Sequence, residues 1–164
     1  MRAGIRRRTR GPRNGGQAMV EFALLSAVFF LLLMGIFDFG RAVAAYISIA
    51  EAAHEGARQL VLRSNYYSHY PDSIIINATI AKIGGGGLVL REDPCLGNNP
   101  PCTTPSNPTT PNTGYIWITP NRTPGNPNVT VQVTYRYAPM TGLISQAVGS
   151  SLVMTASSTM RAEY

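Results

Sequence analysis

The chain has 164 residues and a formal net charge of +6 at pH 7, a length that suits one domain with an anchor. Six arginines precede Gly16, and the remaining eight basic side chains are matched by eight acidic ones. The chain is therefore neutral overall beyond these arginines, and no basic face or aromatic platform follows them. We predict no nucleic-acid partner.

A basic leader, residues 1–16, precedes an apolar segment at residues 17–40, which we predict to be a transmembrane helix. The twenty residues from Ala18 to Phe37 include one charge, Glu21, and form about 30 Å of helix, enough to cross a bilayer. Arginines beside an apolar helix hold that end in the cytoplasm. The sequence therefore predicts a single-pass cytoplasmic membrane protein with a cytoplasmic N-terminus and membrane lipid as a partner.

A cleaved secretory signal peptide is an alternative for the same region. Its cleavage site would be Ala42-Val43-Ala44, a small-x-small triplet. Asp38 and Arg41 lie between the apolar run and that site, and charges at this place disfavour the processing. The two charges are three residues apart on a helix, so we interpret them as an ion pair that marks the membrane exit.

The helical pattern continues beyond the predicted membrane segment, into an extracytoplasmic domain at residues 41–164. Apolar or small residues recur at positions 43, 46, 50, 53, 57 and 60, which is the spacing of one helix face. Small residues on this stripe would let a sheet approach closely. A second, shorter helix is predicted from Ile74 to Ile83, although its three consecutive isoleucines also fit a strand.

Residues 91–114 are rich in Pro, Asn and Thr and have no apolar period, which predicts an exposed loop. Cys95 and Cys102 lie inside it. In an extracytoplasmic loop two such cysteines favour one disulfide that closes a small ring. Zinc is improbable with two thiols and no nearby histidine.

Three strands are predicted after the loop: Tyr115–Thr119, Val129–Tyr137 and Leu152–Met160. The middle one alternates, with valines and tyrosines on one face and polar residues on the other, as a strand with one wet side does. A small antiparallel sheet packed on the outer half of the first helix would bury both apolar surfaces. The predicted fold class is α+β.

No catalytic, cofactor-binding or metal-binding set is found in the sequence. His54-Glu55-Gly56-Ala57-Arg58 begins like the zinc-protease motif, but Arg58 stands where the second histidine must be. Ser26 has no paired base to make it a nucleophile. We predict a protein that is not an enzyme and uses no cofactor.

Glu21 interrupts the apolar segment, where a carboxylate costs about 2.5–3.5 kcal/mol at membrane depth. It could lie at the interfacial edge, or pair with Arg13 or a lipid head group. Alternatively, cleavage after Gly16 would make Gln17 the new N-terminus. The amine of a neighbouring, axially shifted helix could then neutralise Glu21 in lipid and set the register of stacked subunits.

Three segments now show a family resemblance: Gly16–Leu25, Gly35–Arg41 and Glu51–Arg58, which read GQAMVEFALL, GIFDFGR and EAAHEGAR. They resemble the type IV pilin class, and more closely the TadE-like proteins, minor pilins or pseudopilins of the tight-adherence (Tad/Flp) pilus system. The valine-rich strand and the ending Ala156–Arg161 also fit that pattern. The resemblance covers residues 15–62 well and the last forty loosely.

The resemblance implies a type IV pilin-like fold and processing by a prepilin peptidase between Gly16 and Gln17. It also implies assembly through Glu21 and Phe22, with other pilin subunits and the pilus assembly platform as partners. Pilus initiation or assembly and surface adhesion would be its role. Major Flp pilins usually carry Tyr after the Glu and are very short. Here Phe22 follows Glu21 and a large domain is appended, so a minor subunit is favoured.

A second hypothesis retains the membrane anchor but assigns the chain no role in a pilus. The chain would then be a single-pass membrane-anchored binding module, whose sheet and 91–114 loop recognise a ligand outside the cell. A retained leader would favour this hypothesis, and a mature chain beginning at Gln17 would favour the pilin.

Overall fold

The computed structural model describes residues 15–64, 72–83, 87–98, 100–119 and 127–161. The predicted leader lies outside the described residues as far as residue 14. The chain divides into two compact units, one ending at Ile36 and one beginning at Phe37. Each unit is described by itself below.

Helix α1, Gly15–Ser64, belongs to both units and has 50 residues. No proline interrupts it, and alanine and leucine, two of the best helix formers, are frequent along it. The structure thus confirms the long N-terminal helix that the apolar run and the alanine-rich stripe predicted.

Among its described residues, the second unit adds two helices, a short 3-10 turn and one four-stranded sheet to its part of α1. Along the chain these are α2 Asp72–Lys82, β1 Val89–Glu92, the 3-10 turn Pro94–Gly97, β2 Thr113–Ile118, β3 Asn128–Tyr137, α3 Gly142–Val148 and β4 Leu152–Arg161. The predicted α+β class and the three predicted strands are confirmed, and the segment from Ile74 is helical.

The strand order is β1-β2-β3-β4, with β1 parallel to β2 and the other pairs antiparallel. The sheet is therefore mixed, and the prediction of a wholly antiparallel sheet was wrong at this edge. The prediction missed β1 because the strand has only four residues, two of which are the charged Arg91 and Glu92. Such a segment carries no readable alternation.

The core lies between one face of the sheet, called the core face here, and the second part of α1 together with α2. On the sheet side it is formed by alternate residues of the two central strands, as the period of a strand requires. The core residues of β2 and β3 are Ile116, Ile118, Val129, Val131, Val133, Tyr135 and Tyr137.

The predicted apolar stripe of α1 is correct in its second half and wrong in its first. Ala53, Ala57 and Leu60 are buried as expected, but Val43 and Tyr46 are 40% and 50% exposed. The buried positions there are Ala45, Ile49 and Ala52. Because alanine occurs on several sides of this helix, the spacing fitted two registers, and the sheet selects the one with smaller side chains.

The opposite face of the sheet is partly covered by the β1–β2 connection, residues 93–112. Trp117 Nε1 donates to the Cys102 carbonyl at 3.3 Å, and Arg136 Nη1 donates to the Thr109 carbonyl at 3.0 Å. Thr134, predicted to be on the wet side, is buried. The 91–114 segment is mostly a loop as predicted, but it is not wholly exposed, because it packs on this face.

Candidate assembly site

The residues predicted to direct processing and assembly lie on the first turns of α1. Gly16, Gln17, Glu21 and Phe22 are all exposed. Gln17 and Glu21 share one helix face, since four residues separate them, and Gln17 Nε2 donates to Glu21 Oε1 at 3.3 Å. A Cβ atom at Gly16 would meet no atom within 4 Å. Packing of the described residues therefore does not require glycine there.

The helix surface that follows is apolar and bare within its own unit. A helix of this length and apolarity could cross a membrane, and none of its most apolar 18-residue stretch is buried. A soluble core helix of similar composition would be covered by its own chain. The exposed large side chains up to Ile36 are Met19, Val20, Phe22, Leu24, Leu25, Val28, Phe29, Phe30, Leu31, Leu32, Met34 and Ile36.

Asp38 is the second residue of the second unit and is buried, and its carboxylate accepts hydrogen bonds from the connection between β3 and α3. Oδ1 accepts from the Met140 backbone N–H at 3.1 Å, and Oδ2 accepts from the Thr141 N–H at 3.1 Å and from the Thr141 hydroxyl. Hydrogen bonds to an ionised acceptor are among the strong ones. The carboxylate thus ties α1 to a segment about a hundred residues further along the chain.

Arg41 and Tyr137 complete this junction. Arg41 Nη1 lies 3.9 Å from Asp38 Oδ1, and its guanidinium carbon lies 6.0 Å from the centre of the Tyr137 ring. The Tyr137 hydroxyl donates to the Asp38 carbonyl at 2.9 Å. The predicted Asp38–Arg41 contact exists, but the stronger partners of Asp38 are the donors at 140 and 141.

The Glu55-Gly56-Ala57-Arg58 motif has a packing role in the structure. Glu55 accepts two hydrogen bonds from Arg58 at 2.8 Å and one from Gln59 at 2.7 Å, and these bonds lower the pKa of Glu55 to about 2. A Cβ at Gly56 would lie 2.5 Å from Thr79 Oγ1. Glycine therefore lets α2 approach α1 closely, while Glu55 and Arg58 pair on the side away from the core.

Cys95 and Cys102 form a disulfide in the β1–β2 connection, with Cα atoms 5.5 Å apart. The buried Asp93 organises the same loop. Its carboxylate accepts from the Cys95 N–H at 3.0 Å and from the Ser106 N–H at 2.7 Å. These bonds, together with the hydrogen bond from Trp117 to Cys102, fix the loop on the second unit.

Within the described residues, no group of three or more His, Cys, Asp or Glu side chains comes together that could hold a metal ion. The charged side chains discussed above serve helix pairing, the α1 junction and the loop.

One comparison with known proteins decides what the first helix resembles. A family model described as TadE-like protein matches residues 16–58. This segment is similar to TadE-like proteins. The match covers about a quarter of the chain and confirms the resemblance predicted from the sequence over that segment. No curated protein and no solved structure matches the chain.

The TadE-like segment begins at Gly16 and ends at Arg58, so it contains Glu21, Asp38 and the Glu55–Arg58 pair. The structure places these groups at separate points along α1. Sequence reasoning missed the partners of Asp38, because contacts about a hundred residues apart leave no periodic signal. An aspartate at the predicted membrane exit was the one visible sign of a junction there.

Proposed function

We propose that the chain is a non-catalytic minor pilin or pseudopilin that takes part in Tad/Flp pilus assembly and surface adhesion. The observation that carries the proposal is the form of α1 within the TadE-like match. One uninterrupted helix supplies a bare apolar segment as far as Ile36 and a second segment that packs on a sheet. A subunit that is first held in the membrane and then assembled needs both the apolar segment and the segment that packs on the sheet.

In this proposal a prepilin peptidase removes residues 1–16 and leaves Gln17 as the N-terminus. Gly16 is available for such a role because no neighbouring atom constrains it. In the uncleaved chain the described partner of Glu21 is the neutral Gln17 amide, which cannot neutralise a carboxylate in lipid. The freed amine of an adjacent subunit would do so, and its position would fix the register of the two helices.

The arginines of the leader support a cytoplasmic N-terminus and a second unit outside the cytoplasm. The Cys95–Cys102 disulfide suits such a compartment, since disulfides persist in oxidising surroundings. The proposed partners are membrane lipid, the prepilin peptidase, the pilus assembly platform and other pilin or pseudopilin subunits.

The proposal is tested by replacing Glu21 in cells that carry the complete pilus system. Glu21→Ala should leave the protein in the membrane at its normal level but reduce its recovery with sheared pili or with the assembly platform. Glu51→Ala is the matched control, because it removes an exposed carboxylate from the same helix. Normal recovery of Glu21→Ala would exclude the docking role of this residue.

A further inference from the structure

The connection between β3 and β4, residues 138–151, lies at one end of the sheet. It includes α3, and no charged side chain occurs between Arg136 and Arg161. The connection therefore carries no charge that would have to be desolvated on contact with an apolar surface.

Asp38 fixes where this connection lies. Because the carboxylate binds the backbone N–H groups of Met140 and Thr141, the connection is held beside the start of the second unit. Asp38 follows the apolar run of α1 after a single residue, Phe37. A surface that contacts Phe37 can therefore also contact residues 138–151.

The side chains at this end are apolar and uncovered. Phe37, Phe39 and Met140 are 71%, 72% and 76% exposed, and Leu152 and Val153 at the start of β4 are also exposed. Several large exposed apolar side chains at one end of a domain favour an interaction surface there. The exposed Arg41, whose guanidinium lies beside the buried Tyr137 ring, adds a cation at this end, and long basic side chains near helix ends reach the membrane–water interface.

The opposite end of the sheet has a different character. There Asn128 pairs with Arg161, nine residues along β3 from Tyr137, or about 30 Å at the rise of a strand. The polar residues at that end give no reason for contact with lipid.

We propose that residues 138–151, together with Phe37 and Phe39, form a membrane-resting end of the second unit that lies in the head-group region of the bilayer. A lipid surface is favoured over a protein partner because Asp38 holds the connection beside the proposed membrane exit of α1. The inference rests on the proposed membrane anchor and adds a second lipid contact to it.

The test uses full-length protein in nanodiscs of phosphatidylcholine and phosphatidylglycerol, with an environment-sensitive fluorophore on a single introduced cysteine. Cys95 and Cys102 stay unlabelled as a disulfide. Met140→Cys probes the connection, and Ala147→Cys on α3 gives a second probe. Asn128→Cys is the matched control at the far end, and Ser26→Cys reports the anchor itself.

We expect nitroxide lipids labelled near the head group to quench the probes at 140 and 147, and aqueous iodide to quench them several-fold less than the probe at 128. Equal iodide quenching at 140, 147 and 128, with lipid quenching at 26, would overturn the inference and leave the anchor intact. Absence of lipid quenching at 26 would overturn both the membrane anchor and the membrane-resting end. Protection from iodide without lipid quenching at 140 and 147 would indicate a protein contact and overturn the lipid assignment.

Discussion

The two parts of α1 are both rich in apolar residues but differ in how exposed these residues are. Before Phe37 the large apolar side chains are exposed, whereas beyond it Ala45, Ile49, Ala52 and Ala57 are buried under the sheet. Side-chain size separates them as well, since Phe and Leu dominate the first part and Ala faces the sheet in the second. The comparison teaches that helix apolarity alone does not identify a partner, and that small residues mark the part whose partner is in the same chain.

The largest expected effect breaks the comparison at two matched isoleucines. Ile49 is 0% exposed and Ile36 is 59% exposed. Ile49→Ala should lower the free energy of unfolding of the second unit by about 2–5 kcal/mol, because it leaves a cavity under the sheet. Ile36→Ala should change it by no more than about 0.5 kcal/mol. Urea unfolding in detergent, followed by the fluorescence of Trp117, the only tryptophan, measures both. Equal losses would mean that the exposed part of α1 also supports the sheet.

The next prediction concerns the boundary between the two parts. Asp38→Ala removes the acceptor of three hydrogen bonds and leaves two backbone donors at 140 and 141 without it. We expect a loss of about 2–3 kcal/mol in the free energy of unfolding. The same change at the exposed Glu51 is the control and should have little effect. An Asp38→Ala protein as stable as wild type would show that the junction is not a structural tie.

Gly56 tests how closely the second part of α1 is packed. Gly56→Ala should destabilise the second unit by about 1–3 kcal/mol, since its Cβ would meet Thr79 Oγ1. Gly40→Ala, where a Cβ meets nothing within 4 Å, should be neutral or stabilising by up to about 1 kcal/mol. Thr79→Ala in the Gly56→Ala background should recover part of the loss. Chemical denaturation of wild type, Gly56→Ala, Thr79→Ala and the double variant measures the coupling, and a stabilising Gly56→Ala would contradict the close approach.

The smallest effect concerns the solvent side of the same helix. The pKa of Glu55 is lowered from its ordinary value of 4.5 to about 2, chiefly by hydrogen bonds from Arg58 and Gln59. A lowered folded-state pKa adds stability above the ordinary value, and this stability is lost as the pH falls towards 2. Wild type should therefore lose more stability than Glu55→Gln between about pH 5 and pH 2, as measured by thermal unfolding. Glu51→Gln should follow wild type. Identical profiles for wild type and Glu55→Gln would show that the Glu55–Arg58 ion pair does not contribute to stability.

Local patterns predicted the elements well. The alternation from Val129 to Tyr137 gave β3 and its buried face, and the unbroken apolar and alanine-rich sequence gave α1. The register of α1 on the sheet was harder, because Val43 and Tyr46 fitted the helical period as well as Ala45 and Ile49 do. In such a helix the choice depends on which side chains are small enough for the sheet to approach.

The parts that sequence could not predict depend on contacts between distant residues. The parallel pairing of β1 with β2 follows from the return path of the 93–112 connection across the sheet. The hold of Asp38 on Met140 and Thr141 likewise joins distant segments. Neither has a local signature, because hydrogen bonds between distant segments follow from the assembled fold rather than from a period.

The central claim is that the first part of α1 is kept bare for processing and assembly, and the mass of the mature protein tests it most directly. The chain should be produced together with a prepilin peptidase of a Tad pilus system, extracted from the membrane and measured intact. The account predicts a protein that lacks residues 1–16 and begins at Gln17. A retained leader would contradict it and favour a membrane-anchored binding module, and a chain beginning at Ala45 would reveal a signal peptide.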